Sequence, residues 1–498
     1  MTGVTLLVAI ALRTEPGRAQ GPGWISPGDA VTLPESMSFA NERGRLGLLL
    51  DGGPASTADH PFFMPVGENR RACVTCHQPM NAMSVSVASI RDRWRLTGGR
   101  DPLFEAVDGS NNPALLQQLE STHSLLLTRG LFRVSLPWPP ASGRTPEFTI
   151  EVVSDPTGVN RDPRFGLASA RPMVSVFRRP RPAANLKYVL SPDGTFNIKT
   201  GELMALDPDT GRPASMNMMA DARHLTLKQQ ASGAYADHLE GIRGLSAAEL
   251  AAIEGFESRI YMAQVEDRHG RLKTDGGPEG LGPGAMRDGL IHVLGNNNRD
   301  PVFRHFTSWL TADGPALAAL PSPAREFRAS VARGNDIFMF RQFWLRDVAH
   351  INSVGLGNPI KRTCSTCHNA QMSGMDLAPG WVDVGTNNFP TWTAPPVFSA
   401  NADLPVFKVT CRSDAPPHPY LGREIYTTDP GRALITGRCN DVGSIVMQQL
   451  RGLSSRAPYF ANGSAATLGE VVDFYDRRFD MKLTEREKQD LVNFLGVL

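Results

Sequence analysis

The chain has 498 residues, 41% of them apolar and 20% charged, with a formal net charge of +1. That length supports two or three domains with sizeable cores, and so balanced a charge gives no footing for a nucleic-acid partner or an acidic membrane surface. No internal apolar run approaches the ~18 residues that a membrane span needs.

The first element is an apolar run over residues 4–12, followed by Arg13 and by Gly17-Arg18-Ala19. It reads as the core and cleavage site of a secretory signal over 1–20, although the basic leader is missing. A frayed N-terminal helix is the alternative. Export to the periplasm is the resulting expectation.

Next comes Cys73-Val74-Thr75-Cys76-His77, and the same frame returns as Cys364-Ser365-Thr366-Cys367-His368. Two thiols three positions apart can each add to one vinyl group of a haem, and the adjacent His then reaches the iron. C-x-x-C-H is accordingly the haem c attachment signature. A zinc ribbon needs both Cys pairs in one small module, whereas these lie far apart; one pair as a redox dithiol is the other alternative. The frames imply two covalently bound haem c groups. One is held by Cys73 and Cys76 with His77 on its iron, the other by Cys364 and Cys367 with His368. Cys411 and Cys439 fall in neither frame; in an oxidising compartment they are disulfide partners, or else two buried thiols.

Between the frames, residues 86–94 read as a short helix ending near Thr97-Gly98-Gly99. From about 108 to 176 the pattern changes. Residues 131–136 and 148–153 alternate apolar and polar side chains between Pro-Pro and Asp-Pro breaks, which predicts a strand or hairpin insertion. Helical periodicity returns over 225–260, where Ser246-Ala247-Ala248-Glu249 makes a capping box. A Gly-rich loop follows at 275–284, and Ser322-Pro323 marks a boundary before a helix over 324–338. Thr467 and Thr484 open two final helices, the first with Leu468, Val472, Tyr475 and Phe479 on one face. The expected fold is mainly α: two cytochrome-c-like haem domains, 21–320 and 321–498, with a small β-containing insertion in the first.

The C-terminal stretch Arg456-Ala457-Pro458-Tyr459-Phe460-Ala461-Asn462-Gly463, with Thr467-Leu468 and Asp473-Phe474-Tyr475 after it, resembles the A-P-Y-F-H-D-G block of the bacterial di-haem cytochrome c peroxidases. The resemblance is firm over 330–498, good around the first frame and weak over 100–290. It implies that the second haem relays electrons and that its distal ligand stands at Tyr475. Ordinary peroxidases have Met there, and the methylamine-dehydrogenase-maturing, MauG-like branch has Tyr. A phenolate favours ferric iron; the alternative is a core aromatic. The family's W-D-G-R block falls on Ala220-Asp221-Ala222-Arg223. Counting onward through Gln230-Ala231 puts the distal acid at Glu240, with His238 nearby as an acid/base or a ligand; a solvated helix-end charge is the plain reading of Glu240.

The departures carry their own implications. Ala461 replaces the His of the block, and Ala220 stands where an inter-haem Trp is usual, leaving Trp94 and Trp309 as candidate bridges. Arg93 occupies the place of the resting distal His, and an Arg cannot ligate iron. The resemblance also implies a calcium ion between the domains: Pro458 matches its site, but Arg456 brings a positive charge against it. The leading expectation is an exported oxidoreductase using hydrogen peroxide or dioxygen, reduced by a small electron-donor protein or an organic reductant. A di-haem oxygenase and a pure electron carrier are the competitors, the latter with ligands from Met80, Met83, Met372 or Met375.

Overall fold

The computed structural model describes residues 19–141, 143–190, 217–272, 278, 281–289, 306–311, 314–349, 357–368, 381–389 and 401–498. Residues 1–18 of the expected signal segment, half of the Gly-rich loop at 275–284, and Met372 and Met375 lie outside them.

The mainly α expectation is corrected. Among the described residues 32% are helical and 20% lie in strands, and the strands form several sheets rather than one insertion. The largest sheet runs Ala19–Gln20, Ser36–Asn41, Gly44–Leu50, Ile260–Asp267, Gly270–Arg271. Its hairpin opposes Asn41 to Gly44. Gly44 sits at φ 135°, and a Cβ there would stand 2.1 Å from the Glu266 carbonyl oxygen. Only glycine therefore lets the strand Ile260–Asp267 close in. Ile260–Asp267 is buried along almost its whole length, so it lacks the two-residue alternation that marks a half-exposed strand. Directly after a well-capped helix, such an apolar run reads as more helix.

A second sheet runs Asn388–Phe389, Glu424–Thr427, Val406–Cys411, Phe148–Ser154. The two strands expected to form one insertion thus go to different partners. Phe132–Pro137 pairs with Met173–Arg178, while Phe148–Ser154 pairs with Val406–Cys411, beyond the boundary expected near 320. A disulfide joins Cys411 at the end of that strand to Cys439, with both residues buried.

The helices fall where their caps place them. Val87–Thr97 starts on Ser86 and stops at left-handed Gly98. Ala247–Ser258 carries the Ser246/Glu249 capping box, and Thr226 caps Leu227–His238. Ser322–Phe340 packs against Glu485–Leu495 through Ser330, Arg333 and Asp490. The main core joins the last two of these helices to Leu468–Phe479 and to Leu186, Met218 and Leu227 from earlier in the chain. No described helix is long and apolar enough to cross a membrane.

Candidate functional site

Each cysteine frame forms a single 3-10 turn with the same internal bonding. In the first, Cys73–Thr75 follows an extended Ala72, whose N–H donates to Thr75 Oγ1 at 3.1 Å, and the His77 N–H donates to the Cys73 carbonyl at 3.1 Å. In the second, Thr363 N–H donates to Thr366 Oγ1 at 3.3 Å and the His368 N–H to the Cys364 carbonyl at 3.1 Å. The shared geometry explains why both frames have Thr before the second Cys: its hydroxyl anchors the start of the turn.

The frames open onto two cavities. The first is lined by Cys76, His77, Asp108, Gln230, His238 and Glu257 among others. The second, largely apolar, is lined by Cys364, Cys367, His368, Phe338, Tyr475 and Phe479 among others. Each frame faces its own cavity. The four frame thiols are unbonded to one another. Burial pushes Cys76 and Cys364 up to about 12 and Cys73 higher still, so they stay neutral. Among the described residues no three His, Cys, Asp or Glu gather as a metal site.

His77 Nδ1 lies 2.9 Å from the Met83 carbonyl. The turn after the frame, closed by Gln78 N–H to Ser84 O at 3.0 Å and left-handed at Ala82 and Met83, brings that carbonyl round. Donating Nδ1–H fixes the ring tautomer and leaves Nε2 as the metal-binding nitrogen. Burial lowers the His77 pKa, which keeps the ring neutral. His368 is lowered by burial to about 4, and its Nδ1 has no hydrogen-bond partner among the described residues. Both rings thus present a neutral nitrogen into a hollow beside two cysteines, the donor set that a haem c group requires.

Helix Leu227–His238 lays Leu227, Gln230, Ala234 and His238 along the first cavity. His238 Nδ1 is 2.6 Å from Asp108 Oδ2, and Asp108 in turn pairs with the buried Arg71 guanidinium. Burial alone would raise the Asp108 carboxyl, but Arg71 and then His238 outweigh it and hold it below the usual range. With Nδ1 so engaged, Nε2 is the His238 nitrogen left for the cavity. Glu257, 5% exposed, also lines this space; burial, with Glu254 beside it, pushes its carboxyl up to about 8, and its Oε2 has no hydrogen-bond partner among the described residues.

Glu240 is exposed, at φ 52°, and lines neither cavity. The segment delivers His238 instead, two residues earlier. Tyr475 does line the second cavity with His368, stacked on Phe479 with ring centroids 6.2 Å apart. Burial, then the Cys367 and Cys364 thiols, keeps its phenol protonated. Arg93 turns away, paired with Asp101 and set over Trp24. Trp94 packs on Phe104 and His123, and Trp309 on Phe306; both are buried, and neither lines a cavity. Met80 and Met83 line neither as well. Where the family has Trp and His, Ala220 and Ala461 pack together with Ile445. Sequence reading missed the Asp108–Arg71 support of His238, since the partners lie 130 and 37 positions apart. It also missed Glu257, whose only signal is a carboxylate on the buried face of a helix.

No family model matches the chain. Over 154 residues the chain is 30% identical to the cytochrome-c peroxidase IdrP1 of Pseudomonas sp. (strain SCT), a stretch covering 28% of this chain and 37% of that protein. The chain thus spans well under half the length of the curated relative it matches. Among solved structures, Kuenenia stuttgartiensis hydrazine synthase aligns over 83% of this chain and 93% of its own, at 15% identity and a TM-score of 0.29, too loose a likeness to carry an argument. What the comparisons establish is a similarity, over part of the chain, to a cytochrome-c peroxidase.

Proposed function

We propose that this chain is an exported di-haem oxidoreductase of the peroxidase type, with Cys73, Cys76 and His77 holding one haem c and Cys364, Cys367 and His368 the other. The observation that carries the reading is that His77 and His238 line one cavity, each with Nδ1 engaged. Iron porphyrin bound at these frames supplies the electron-transfer chemistry, with peroxide as oxidant. The chain's own task is to manage protons and access. His238 Nε2 takes a proton from an incoming hydroperoxide and returns it to the departing oxygen. Asp108 holds the ring in one tautomer and stabilises its charged form while the proton is aboard, and Arg71 keeps Asp108 ionised. Tyr475 is the second-cavity ligand in this reading, as in the MauG-like branch; it supports that role that Tyr475 and His368 line one hollow. The electron donor is a small protein or an organic reductant.

Electron paramagnetic resonance of the resting ferric protein tests the reading. One high-spin and one low-spin signal are expected, with a rapid Soret change on adding peroxide. Two low-spin signals and no response to peroxide would mean that His238 closes the first iron and that the protein is only a carrier. A second reading, an oxygenase on an organic substrate, draws on Ala220 packing with Ile445 and Ala461, with no aromatic in that cluster among the described residues. Dioxygen uptake with a substrate, without a peroxide response, would select it.

A further inference from the structure

The segment Arg178-Arg179-Pro180-Arg181 runs between the two cavities, and Arg179 and Pro180 line both. Arg179 is 8% exposed. Its Nη1 donates to the Arg129 carbonyl at 3.0 Å, and its Nη2 donates to the carbonyls of Val85 at 2.6 Å and Arg456 at 2.9 Å. Its backbone N–H donates to the Ala461 carbonyl at 2.8 Å. The three side-chain acceptors come from separate stretches: just after the His77 turn, the end of helix Ser124–Arg129, and the 456–461 segment under the second cavity.

The surroundings leave room for this guanidinium and for little else. A Cβ at Gly130 would stand 2.2 Å from Arg179 Nη1, and one at Gly463 would stand 2.7 Å from the Arg129 carbonyl oxygen. Among the described residues no carboxylate pairs with Arg179. Its neighbour Arg456 is buried too, donating through Nη2 to the Gln449 carbonyl. Converging carbonyls form a cage suited to a cation, and here the cage is already filled. Calcium needs about six to eight oxygens, whereas the acceptors here are shared among fixed guanidinium donors. The calcium ion implied by the family resemblance therefore does not fit these residues.

We propose that Arg179, with Arg456 behind it, is the resident cation of this junction. It is a positioning residue that clamps the His77 turn to the 456–461 segment in place of a divalent ion. Two guanidiniums bring the charge of one calcium ion and cannot be lost to a chelator.

The test uses the purified full-length protein and calcium alone as probe, so its outcome is separate from any peroxide chemistry. Equilibrium dialysis should find no calcium on the wild type, and its melting temperature should match in calcium chloride and in EGTA. Arg179→Met should melt lower and shift the haem absorbance, and Arg179→Lys should recover part of both, since an ammonium keeps the charge without the planar fork. A double variant, Arg179→Ala with Arg456→Thr, should gain a calcium-dependent rise in melting temperature. One tightly bound calcium per wild-type chain, with melting lowered by EGTA, would overturn the proposal whatever the variants do. So would Arg179→Met that melts and absorbs like the wild type.

Discussion

Asp108 shows how one buried carboxylate can organise a site. It sits between Arg71 and His238, and Arg71 is further tied to the carbonyls of Pro102 at 2.6 Å and Leu103 at 2.8 Å. The guanidinium is thus fixed before it meets the carboxylate, and the carboxylate before it meets the imidazole. Asp108→Asn keeps the shape but removes the charge that stabilises protonated His238. We expect the peroxide reaction to slow by ~10²–10⁴-fold, the usual worth of a placed acid–base group, with haem content unchanged; stopped-flow absorbance measures it. Glu257 gives a prediction of a different kind. Its folded-state pKa, about 8 through burial, lies above the ~4.3 of a solvated Glu. Its unfolded form therefore releases a proton that the folded form retains, so its contribution is intact below pH ~4.3 and is lost as pH rises toward 8. Glu257→Gln should melt like the wild type near pH 4 and higher than it near pH 8. Thermal melts across that range decide the matter, and parallel curves would contradict it.

Among the elements, the strand Val406–Cys411 has the widest reach, pairing with Phe148–Ser154 on one side and Glu424–Thr427 on the other. The Cys411–Cys439 bond closes the loop that carries the latter strand. Opening it in a Cys411→Ser, Cys439→Ser double variant should cost about 3 kcal/mol, as expected for a closed loop of this size; urea unfolding with and without reductant reads it directly. These elements also show how much was legible in sequence. Helix starts were, because Ser86, Ser246, Thr467 and Thr484 announce themselves by local side-chain bonds to orphan N–H groups. The alternating strands at 132 and 148 were legible as strands, but their partners were not, because pairing depends on contacts distant in sequence. Ile260–Asp267 stayed hidden since burial on both faces erases the alternation. In the site, the frames and the Tyr475 face were legible from spacing alone. Glu240 and His238 occupy one short stretch, and the choice between them turns on how helix Leu227–His238 ends: the left-handed turn at Glu240 carries that side chain into solvent.

At the scale of the molecule, the two cavities meet across Arg179, Pro180 and the small contact of Ala220, Ile445 and Ala461. Among the described residues, hydrogen bonds from buried Arg179 tie this junction together. The redox reading of the two cavities depends on the two Cys-x-x-Cys-His turns carrying porphyrin through thioether bonds. Intact-mass spectrometry of the purified chain, extracted with acid–acetone, tests that most directly. The expected result is a polypeptide heavier by two haem groups, one on the peptide spanning Cys73 and Cys76 and one on that spanning Cys364 and Cys367. A chain at its bare polypeptide mass, with the colour gone into the solvent, would contradict it.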